Sequence, residues 1–286
     1  MKTMRTLTLA PGAKLPLTNS GNLEVFFIGV GSAFALKHYQ LNLLLVKGKH
    51  HVMVDFGMTG PIALEKTAGL AVTDITTFLP THSHADHIGG LEAACLLNRY
   101  VGMKSKGKPK LKAIVTEGYQ EILWDRSLRG GLEWNEEAGG HHLCFTDYFD
   151  VIRPQWLANS PRERFSVRVG EIEIEMFRTR HVPDCANGWQ DAFTSFGLFV
   201  DGHVFISMDT QFDRELIAEY APRSTAMFHD VQFFPGAVHA PLADLRTLPA
   251  EIKAKMHLMH YADNWEAQDI TGFAGWTKQG VRYIFE

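Results

Sequence analysis

Three histidines and one aspartate lie within six consecutive positions, at His82, His84, Asp86 and His87. They follow an apolar run, residues 75–79, that predicts a buried strand. Neutral imidazole and carboxylate groups both bind zinc, at about 2.0–2.2 Å. This density of donors at the end of a strand predicts a metal-binding loop. The alternative is a polar loop whose histidines are satisfied by hydrogen bonds.

Donor residues recur at predicted strand ends in the second half of the chain. Short apolar or alternating segments there predict strands, and each is followed by a histidine or an aspartate. These candidates are His181, Asp209, the pair His229-Asp230, and His260. His239 lies in a loop between the last two. The second half therefore repeats the arrangement of the first, with strands that end in potential ligands.

The composition predicts a soluble globular protein with a large core. Of the 286 residues, 45% are hydrophobic and 21% are charged, which suits one large domain. The formal charge of −4 argues against a general nucleic-acid coat, because affinity for phosphate backbones comes mainly from Lys and Arg. Alternating lysines at residues 104–110 predict either a solvated loop or a local rim that attracts phosphate. No apolar run approaches transmembrane length, so we expect a cytoplasmic enzyme without a membrane partner.

Residues 125–164 lose the periodic pattern of the rest of the chain and are rich in Gly, Trp and charge. We interpret them as an insertion or lid within a single domain that spans residues 1–286. His141 and His142 lie inside this segment, where no strand end fixes them as ligands. Two alternatives are open for its aromatic side chains, which either stack a base or pack internally. These side chains are Trp134, Phe145, Tyr148 and Phe149.

The order of the donors resembles the metallo-β-lactamase superfamily, over nearly the whole chain. The matching residues are, in order, His82-x-His84-x-Asp86-His87, His181, Asp209 and His260. The resemblance implies an α/β (α+β) fold, an αββα sandwich in which two mixed β-sheets lie face to face with helices on the outside. It also implies a dinuclear metal site at one edge of the sandwich.

Finer details resemble the RNase Z-like phosphodiesterases of that superfamily. They are Gly29 and Gly31 with Ala33 after the first strand, His181-Val182-Pro183 before Phe196-Gly197, Ser207-Met208-Asp209-Thr210, and His229-Asp230. The last pair departs from that branch, which has Glu in place of Asp. His239 lies where the branch has its catalytic histidine.

The resemblance also implies the role of each ligand. One metal ion would be held by His82, His84 and His181, and a second by Asp86, His87 and His260, with Asp209 as the bridge between them. Zinc is the first choice and manganese the second, because an imidazole-rich site with carboxylates and no thiolate accepts either. His239 is then the candidate general acid, Asp230 orients it, and Asp86 helps to take the proton from the attacking water.

The substrate predicted by this comparison is a compact phosphodiester, with cyclic nucleotides as the leading class. The resemblance extends to small cyclic-nucleotide phosphodiesterases of this branch, including the anti-Pycsar enzymes. An RNase Z-type tRNA 3′-endonuclease is an alternative, although the short stretch between His181 and Asp209 leaves no room for the long arm of those enzymes. A lactone, thioester or β-lactam hydrolase and a non-enzymatic metal sensor are further alternatives. Relatives of this kind lead us to expect a homodimer.

Overall fold

The computed structural model describes residues 3–236 and 238–286. Two eight-stranded β-sheets dominate it, together with one separate two-stranded hairpin. In chain order, the strands are β1 (Met4–Thr8), β2 (Leu23–Gly29), β3 (Asn42–Lys47), β4 (His50–Val54), β5 (Thr77–Leu79), β6 (Leu111–Ile114), β7 (Glu137–Ala138), β8 (His141–His142), β9 (Phe149–Ile152), β10 (Gln155–Ala158), β11 (Arg164–Val169), β12 (Ile172–Arg178), β13 (Phe196–Val200), β14 (Val204–Ile206), β15 (Ala226–Asp230), β16 (Met256–Met259), β17 (Gly275–Trp276) and β18 (Val281–Phe285).

The helices are short. The α-helices are α1 (Gly60–Ala68), α2 (Ala85–Ile88), α3 (Leu91–Leu97), α4 (Lys104–Lys106), α5 (Glu117–Leu123), α6 (Arg129–Leu132), α7 (Phe145–Tyr148), α8 (Arg214–Tyr220), α9 (Leu242–Leu245) and α10 (Ala250–Lys253). Four 3-10 helices span Val72–Asp74, Glu133–Asn135, Ala221–Arg223 and Trp265–Ala267, and two π-helical segments span Asn98–Met103 and Trp124–Leu128. Within residues 3–236 and 238–286, no helix is both long enough and apolar enough to cross a membrane.

Both sheets have the same plan. The first has the order β1-β18-β2-β3-β4-β5-β6-β9, and the second the order β10-β11-β12-β13-β14-β15-β16-β17. In each, the first five strands are antiparallel and the remaining strands are parallel. The parallel strands require crossover connections, and most of the α-helices lie in those connections.

The two sheets face each other across one hydrophobic core. Phe27 on β2 lies against Phe228 on β15, with ring centroids 5.1 Å apart, and Tyr283 on β18 contacts both rings. β2 and β15 are buried along their whole length, as expected for strands covered on both faces. The αββα fold predicted from the sequence is confirmed.

A salt bridge joins the two sheets at the edge where their central hairpins turn. Lys47 Nζ, at the turn between β3 and β4, lies 2.7 Å from Asp201 Oδ2, at the turn between β13 and β14. The Asp201 side chain is only 5% exposed, so this pair is shielded from solvent far more than an ordinary surface pair. These turns precede β4 and β14, and the carboxyl ends of those strands point to the opposite edge.

The segment of residues 125–164 is less separate than its sequence pattern indicates. β9 pairs with β6 at the edge of the first sheet, and β10 pairs with β11 at the edge of the second. The chain therefore passes from one sheet to the other within this segment. A lid role for its first half, with α6, the β7–β8 hairpin and α7, stays a prediction.

Candidate metal centre

The predicted ligands lie just beyond the carboxyl ends of strands. His82 follows β5, His181 follows β12, Asp209 follows β14 and His260 follows β16. β14, β15 and β16 are parallel, and β12 runs in the same direction as β14 because β13 lies antiparallel between them. The carboxyl ends of these strands therefore meet at one edge of the sandwich, which is where open α/β sheets bind ligands.

The first ligand loop divides its donors between extended and helical backbone. His84 has extended backbone and occupies the N-cap position of α2, while Asp86 and His87 lie in the first turn of this helix. The change of backbone at His84 separates His82 and His84 from Asp86 and His87. The two pairs therefore meet different donors from the second sheet.

Three groups of four donors share Asp209, and two of them together contain all the predicted ligands, while the third consists of Asp209, Asp230, His239 and His260. The first contains His82, His84, His181 and Asp209, and the second contains Asp86, His87, Asp209 and His260. In each group the candidate ligand atoms lie within 4.8 Å of one another, close enough to hold one metal ion. Asp209 belongs to both groups, so the structure brings together all seven residues that the sequence predicted as ligands.

Unpaired polar atoms inside the cluster fit this interpretation. Nε2 of His82, Nε2 of His87 and both carboxylate oxygens of Asp209 are buried without a hydrogen-bond partner. A buried polar atom that makes no hydrogen bond costs about 1–3 kcal/mol. These atoms also belong to residues of the two groups, so the donor set fits a pair of divalent metal ions.

Asp55 and Thr81 orient the ligand loop, and neither was assigned a role from the sequence. His87 Nδ1 donates to Asp55 Oδ2 at 2.6 Å, which directs Nε2 of His87 towards the cluster. Both the backbone N–H and the hydroxyl of Thr81 donate to the same carboxylate, at 2.7 and 2.8 Å. The position of Asp55 directly after β4 was the available signal, since the other functional carboxylates also follow strands.

The orientation of the His181 ring is set by the loop that contains His239. His181 Nδ1 donates to the carbonyl of Val238 at 2.7 Å, and its Nε2 lies 3.1 Å from His84 Nδ1. The backbone carbonyl therefore selects the tautomer of His181 in which Nε2 carries no proton and can act as a metal ligand.

Electrostatics separates the histidines of the first group from those of the second. Burial, assisted by His87, holds the pKa of His82 well below its usual value. Burial also lowers the pKa of His84, and that of His181 to about 4. These three imidazoles are therefore neutral at pH 7, the form that binds metal.

In the second group, nearby carboxylates have more effect than burial on the pKa values of the histidines. Burial favours neutral imidazole, but Asp209, Asp230 and Asp86 together outweigh it and raise the pKa of His260 to about 10. Asp209, together with Asp86, likewise raises the pKa of His87 well above its usual value. Burial opposes ionisation of Asp209, yet His260 and His87 hold its pKa well below the usual range. This half of the cluster therefore attracts positive charge.

His239 lies at the edge of the cluster and is paired with Asp230. His239 Nδ1 is 2.8 Å from Asp230 Oδ2, and Asp230 Oδ1 is 3.4 Å from His260 Nδ1. Burial lowers the pKa of His239, but Asp230 outweighs this effect and raises it. The His239 side chain is 20% exposed, whereas Asp230 is fully buried. The Nδ1 contact leaves Nε2 of His239 available for proton transfer.

Several residues singled out from the sequence lie outside this cluster. His229 is buried beside the ring of Phe205, and its Nδ1 contacts the carbonyl of Asp230. His141 and His142 form the short strand β8 and are not among the ligand groups around Asp209. Of the aromatic side chains considered for base stacking, Trp134 is exposed, whereas three are buried and pack internally: Phe145, Tyr148 and Phe149.

The alternating lysines are engaged in contacts with neighbouring residues. Lys104 lies 2.9 Å from Glu136, Lys108 lies 3.5 Å from Asp74, and Lys110 lies 3.2 Å from Asp150. Lys106 Nζ is 3.5 Å from the hydroxyl of Thr73. With three of their charges paired, these lysines do not form a free phosphate-binding rim.

The αββα sandwich and its shared-aspartate cluster define a metal-dependent hydrolase of the metallo-β-lactamase fold. The family model described as Anti-Pycsar protein Apyc1 matches residues 23–283. The chain belongs to this family.

Relatives with that same description come from both bacteria and phages. The protein from Paenibacillus sp. (strain J14) is 34% identical over 248 residues, which cover 86% of this chain and 91% of the relative. The protein from Bacillus phage 010DV004 is 35% identical over 269 residues, which cover 92% of this chain and 98% of the relative.

Solved structures show the same fold at low sequence identity. The metallo-β-lactamase fold protein YhfI from Bacillus subtilis has a TM-score of 0.65 at 14% identity, covering 92% of this chain and 99% of that one. A diphosphatase from the PhnP family has a TM-score of 0.62 at 11% identity, covering 91% and 96%. The short form of human tRNase Z has a TM-score of 0.58 at 17% identity, covering 85% and 94%.

Proposed function

We propose that this protein hydrolyses the phosphodiester bond of a small cyclic nucleotide, using two divalent metal ions. The observation that carries the proposal is the His239–Asp230 pair, which lies beside two groups of donors that share Asp209. Two metal ions and a protonated imidazole together supply what is needed to displace an alkoxide from phosphorus, namely charge stabilisation and a proton for the leaving group. A lactone hydrolase would use the same metals, but no observation in this structure favours a carbonyl substrate.

The donor groups indicate how the ions are held. His82, His84 and His181 would hold one ion, Asp86, His87 and His260 would hold the other, and Asp209 would be shared by both. Zinc is the first choice and manganese the second for this set of imidazoles and carboxylates. When bound, the two ions polarise the phosphoryl oxygens and lower the pKa of a water molecule.

Two side chains then transfer protons during the reaction. Asp86 accepts a proton from the attacking water, whose oxygen forms a bond to phosphorus as the ester P–O bond breaks. His239 donates a proton from Nε2 to the leaving oxygen, and Asp230 holds Nδ1 on the opposite side of the ring. The reaction consumes one water and yields a phosphomonoester and a free hydroxyl group.

Three observations support a small substrate. Relatives are described as anti-Pycsar proteins, in agreement with the resemblance to cyclic-nucleotide phosphodiesterases. Between His181 and Asp209 the chain forms one loop and the β13–β14 hairpin, with no protruding arm. The lysines of residues 104–110 are engaged in local contacts, which leaves no basic rim there for a long nucleic acid.

The test is a substrate screen with purified protein and either zinc or manganese. It compares cyclic mononucleotides, a cyclic dinucleotide, a tRNA precursor and a lactone, before and after chelation and dialysis. We expect cyclic mononucleotides to be hydrolysed fastest and chelation to abolish turnover, with recovery when metal is returned. Full activity of the dialysed protein contradicts metal dependence, and faster cleavage of the tRNA precursor or the lactone identifies the corresponding alternative.

A further inference from the structure

A cavity lies directly beside the metal centre. It has a volume of about 610 Å³, and both His239 and His260 form part of its wall. Binding sites for small molecules in proteins usually have volumes of roughly 300–1,000 Å³. A phosphodiester placed at the metal centre therefore has room to extend its remaining atoms into this cavity.

Two phenylalanines in the wall of this cavity are unusually exposed. Phe34 is 92% exposed and lies in the loop between β2 and β3, and Phe234 is 59% exposed and lies in the loop after β15. Exposed aromatic side chains forgo the roughly 1.5–3 kcal/mol that burial of a phenylalanine contributes. Both belong to the same cavity although they come from distant parts of the chain, so a ligand there would cover both.

The loop that carries Phe34 is held in place by hydrogen bonds. The carboxylate of Asp263 accepts from the backbone N–H of Leu36, at 2.9 Å, and from that of Lys37, also at 2.9 Å. Before Phe34, the carbonyl of Ala33 accepts from the side-chain amide of Gln40 at 3.0 Å. Phe34 thus lies between two positions that are fixed by hydrogen bonds, so its side chain is exposed on an ordered loop.

Phe234 is anchored in a similar way. Its carbonyl accepts from Gln232 Nε2 at 2.9 Å, and the same amide group donates to the carbonyl of Gly236. These bonds occupy the amide donors of Gln232, just as backbone N–H groups occupy the carboxylate of Asp263. Both phenylalanines are thus held on anchored loops with their rings exposed in the cavity, where they offer apolar faces to a planar ring.

We propose that Phe34 and Phe234 bind the nucleobase of the substrate by stacking, while its phosphodiester lies at the metal centre. This inference rests on the proposed function and adds a specificity to it. Stacking on aromatic side chains tolerates every base, because every base has a π-face. The pair therefore accepts all four bases, and it binds purines more tightly than pyrimidines because their rings are larger.

The experiment measures kcat and KM of the metal-loaded protein and of its Phe34→Ala and Phe234→Ala variants. The substrates are cyclic AMP, cyclic CMP and a ribose 3′,5′-cyclic phosphate that carries a methyl group in place of the base. We expect each variant to raise KM for cyclic AMP by roughly 5- to 100-fold, the range that stacking on one aromatic side chain provides. The rise is smaller for cyclic CMP and absent for the base-free compound, and kcat changes little, as expected for lost uniform binding.

Leu36→Ala is the matched control. Leu36 is also 92% exposed and lies in the same loop as Phe34, but it is not part of the cavity wall. We expect this variant to keep the wild-type KM for every substrate. Phe34→Tyr keeps an aromatic ring and is expected to restore the KM for cyclic AMP.

Each other outcome overturns the inference in a recognisable way. An equal loss with the base-free compound means that the phenylalanines act on the loop or the phosphate. A parallel loss for all substrates, together with a change in molar mass by light scattering, assigns them to a contact between subunits. If the wild-type protein turns over none of the cyclic mononucleotides, the proposed function itself fails. Failure of the stacking inference is different, because the wild-type protein is then active and only the comparison with the variants contradicts the inference.

Discussion

Individual residues at the metal centre adopt backbone conformations that side chains normally avoid. Asp55, Met208 and His260 have φ angles of 57°, 47° and 58°. Asp55 and His260 stand at strand ends and contact cluster residues through their side chains, whereas Met208 precedes the shared ligand Asp209 and packs its own side chain in the core. Such conformations cost roughly 1–3 kcal/mol each and persist where the surrounding structure determines them. Three of the four non-glycine residues with positive φ in the described part of the chain therefore belong to the centre or adjoin it, and the fourth, Asp201, lies in the turn between β13 and β14.

His239→Ala tests whether this residue transfers a proton or binds metal. Because its Nδ1 contacts Asp230, we expect the variant to keep both metal ions but to lose about 10²–10⁴-fold in kcat, the usual contribution of a general acid. The measurement combines metal analysis of the dialysed variant with steady-state kinetics. Loss of one metal ion would reassign His239 as a ligand.

Asp55→Asn tests the support of His87. The substitution keeps the shape of the side chain but removes the charge that accepts from His87 Nδ1, so we expect metal affinity to fall by about 10- to 100-fold. Competition with a chelating dye measures it. Asp213→Asn is the control, because Asp213 caps α8 away from the cluster and should affect stability without affecting metal affinity. Equal metal affinities in wild type and Asp55→Asn would remove Asp55 from the metal centre.

At the scale of residues, the sequence predicts which side chains are ligands better than it predicts the contacts that surround them. His82, His181 and Asp209 were predictable because each follows an apolar segment. Asp55 was harder to interpret, because its role depends on the contact with His87 across neighbouring strands. The exposure of Phe34 and Phe234 depends on how two loops meet, which no local pattern records.

At the scale of elements, the short helix α2 is held by the chain after β4. Phe56 N–H donates to the carbonyl of His87 at 2.6 Å, and Met58 N–H donates to the carbonyl of Ala85 at 3.2 Å. Between them, Gly57 approaches so closely that an added Cβ would lie 1.8 Å from the carbonyl oxygen of Asp86. The helix that presents Asp86 and His87 therefore depends on the absence of a side chain at residue 57.

Gly57→Ala is expected to displace α2. The methyl group must push the backbone of Asp86 aside, so we expect a loss of about 1–3 kcal/mol in the free energy of unfolding, the usual cost of overpacking. Metal affinity should fall as well. Denaturant unfolding and metal titration measure the two effects.

Gly118→Ala provides the control for this substitution. Gly118 lies in α5, and an added Cβ would meet nothing within 4 Å. We expect alanine there to stabilise the protein by about 0.5–1 kcal/mol, because it favours the helical backbone. A Gly57→Ala variant as stable as wild type would show that α2 can move without cost.

The sequence predicts most elements of the sandwich, because hydrophobic periodicity marks the central strands and α1, α5 and α8. It does not predict which strands become neighbours. β9 and β10 lie in a segment whose hydrophobic residues show no clear periodicity, which by itself indicates an insertion. Their pairing with β6 and β11 makes them edge strands of the two sheets. Pairing at a sheet edge depends on distant residues, so local patterns carry little information about it.

For the molecule as a whole, a half-buried histidine beside the core, His257, links stability to pH. His257 packs between the rings of Phe228 and Tyr283, and its Nδ1 has no hydrogen-bond partner. Burial lowers its pKa from 6.5 to about 4. Between these two values the unfolded chain binds a proton that the folded protein does not bind, so the free energy of unfolding falls as the pH is lowered through this window.

His257→Phe should weaken this dependence on pH. Phenylalanine keeps the ring contacts and cannot be protonated, so we expect the variant to gain about 1–2 kcal/mol relative to wild type between pH 7 and pH 5. Urea unfolding at the two pH values measures the difference. The same loss of stability in both proteins on acidification would show that His257 does not contribute.

The division of the ligands between the two sheets also limits how such a protein can change during evolution. Each of the two groups that contain the predicted ligands takes members from the His82–His87 loop and from strand ends of the second sheet. Neither half of the chain therefore contains all the members of either of these two groups. Recombination that exchanges one half between relatives succeeds only where the incoming strand ends present the same donors at the same edge. The two halves are consequently inherited as one functional unit, although each follows the same folding plan.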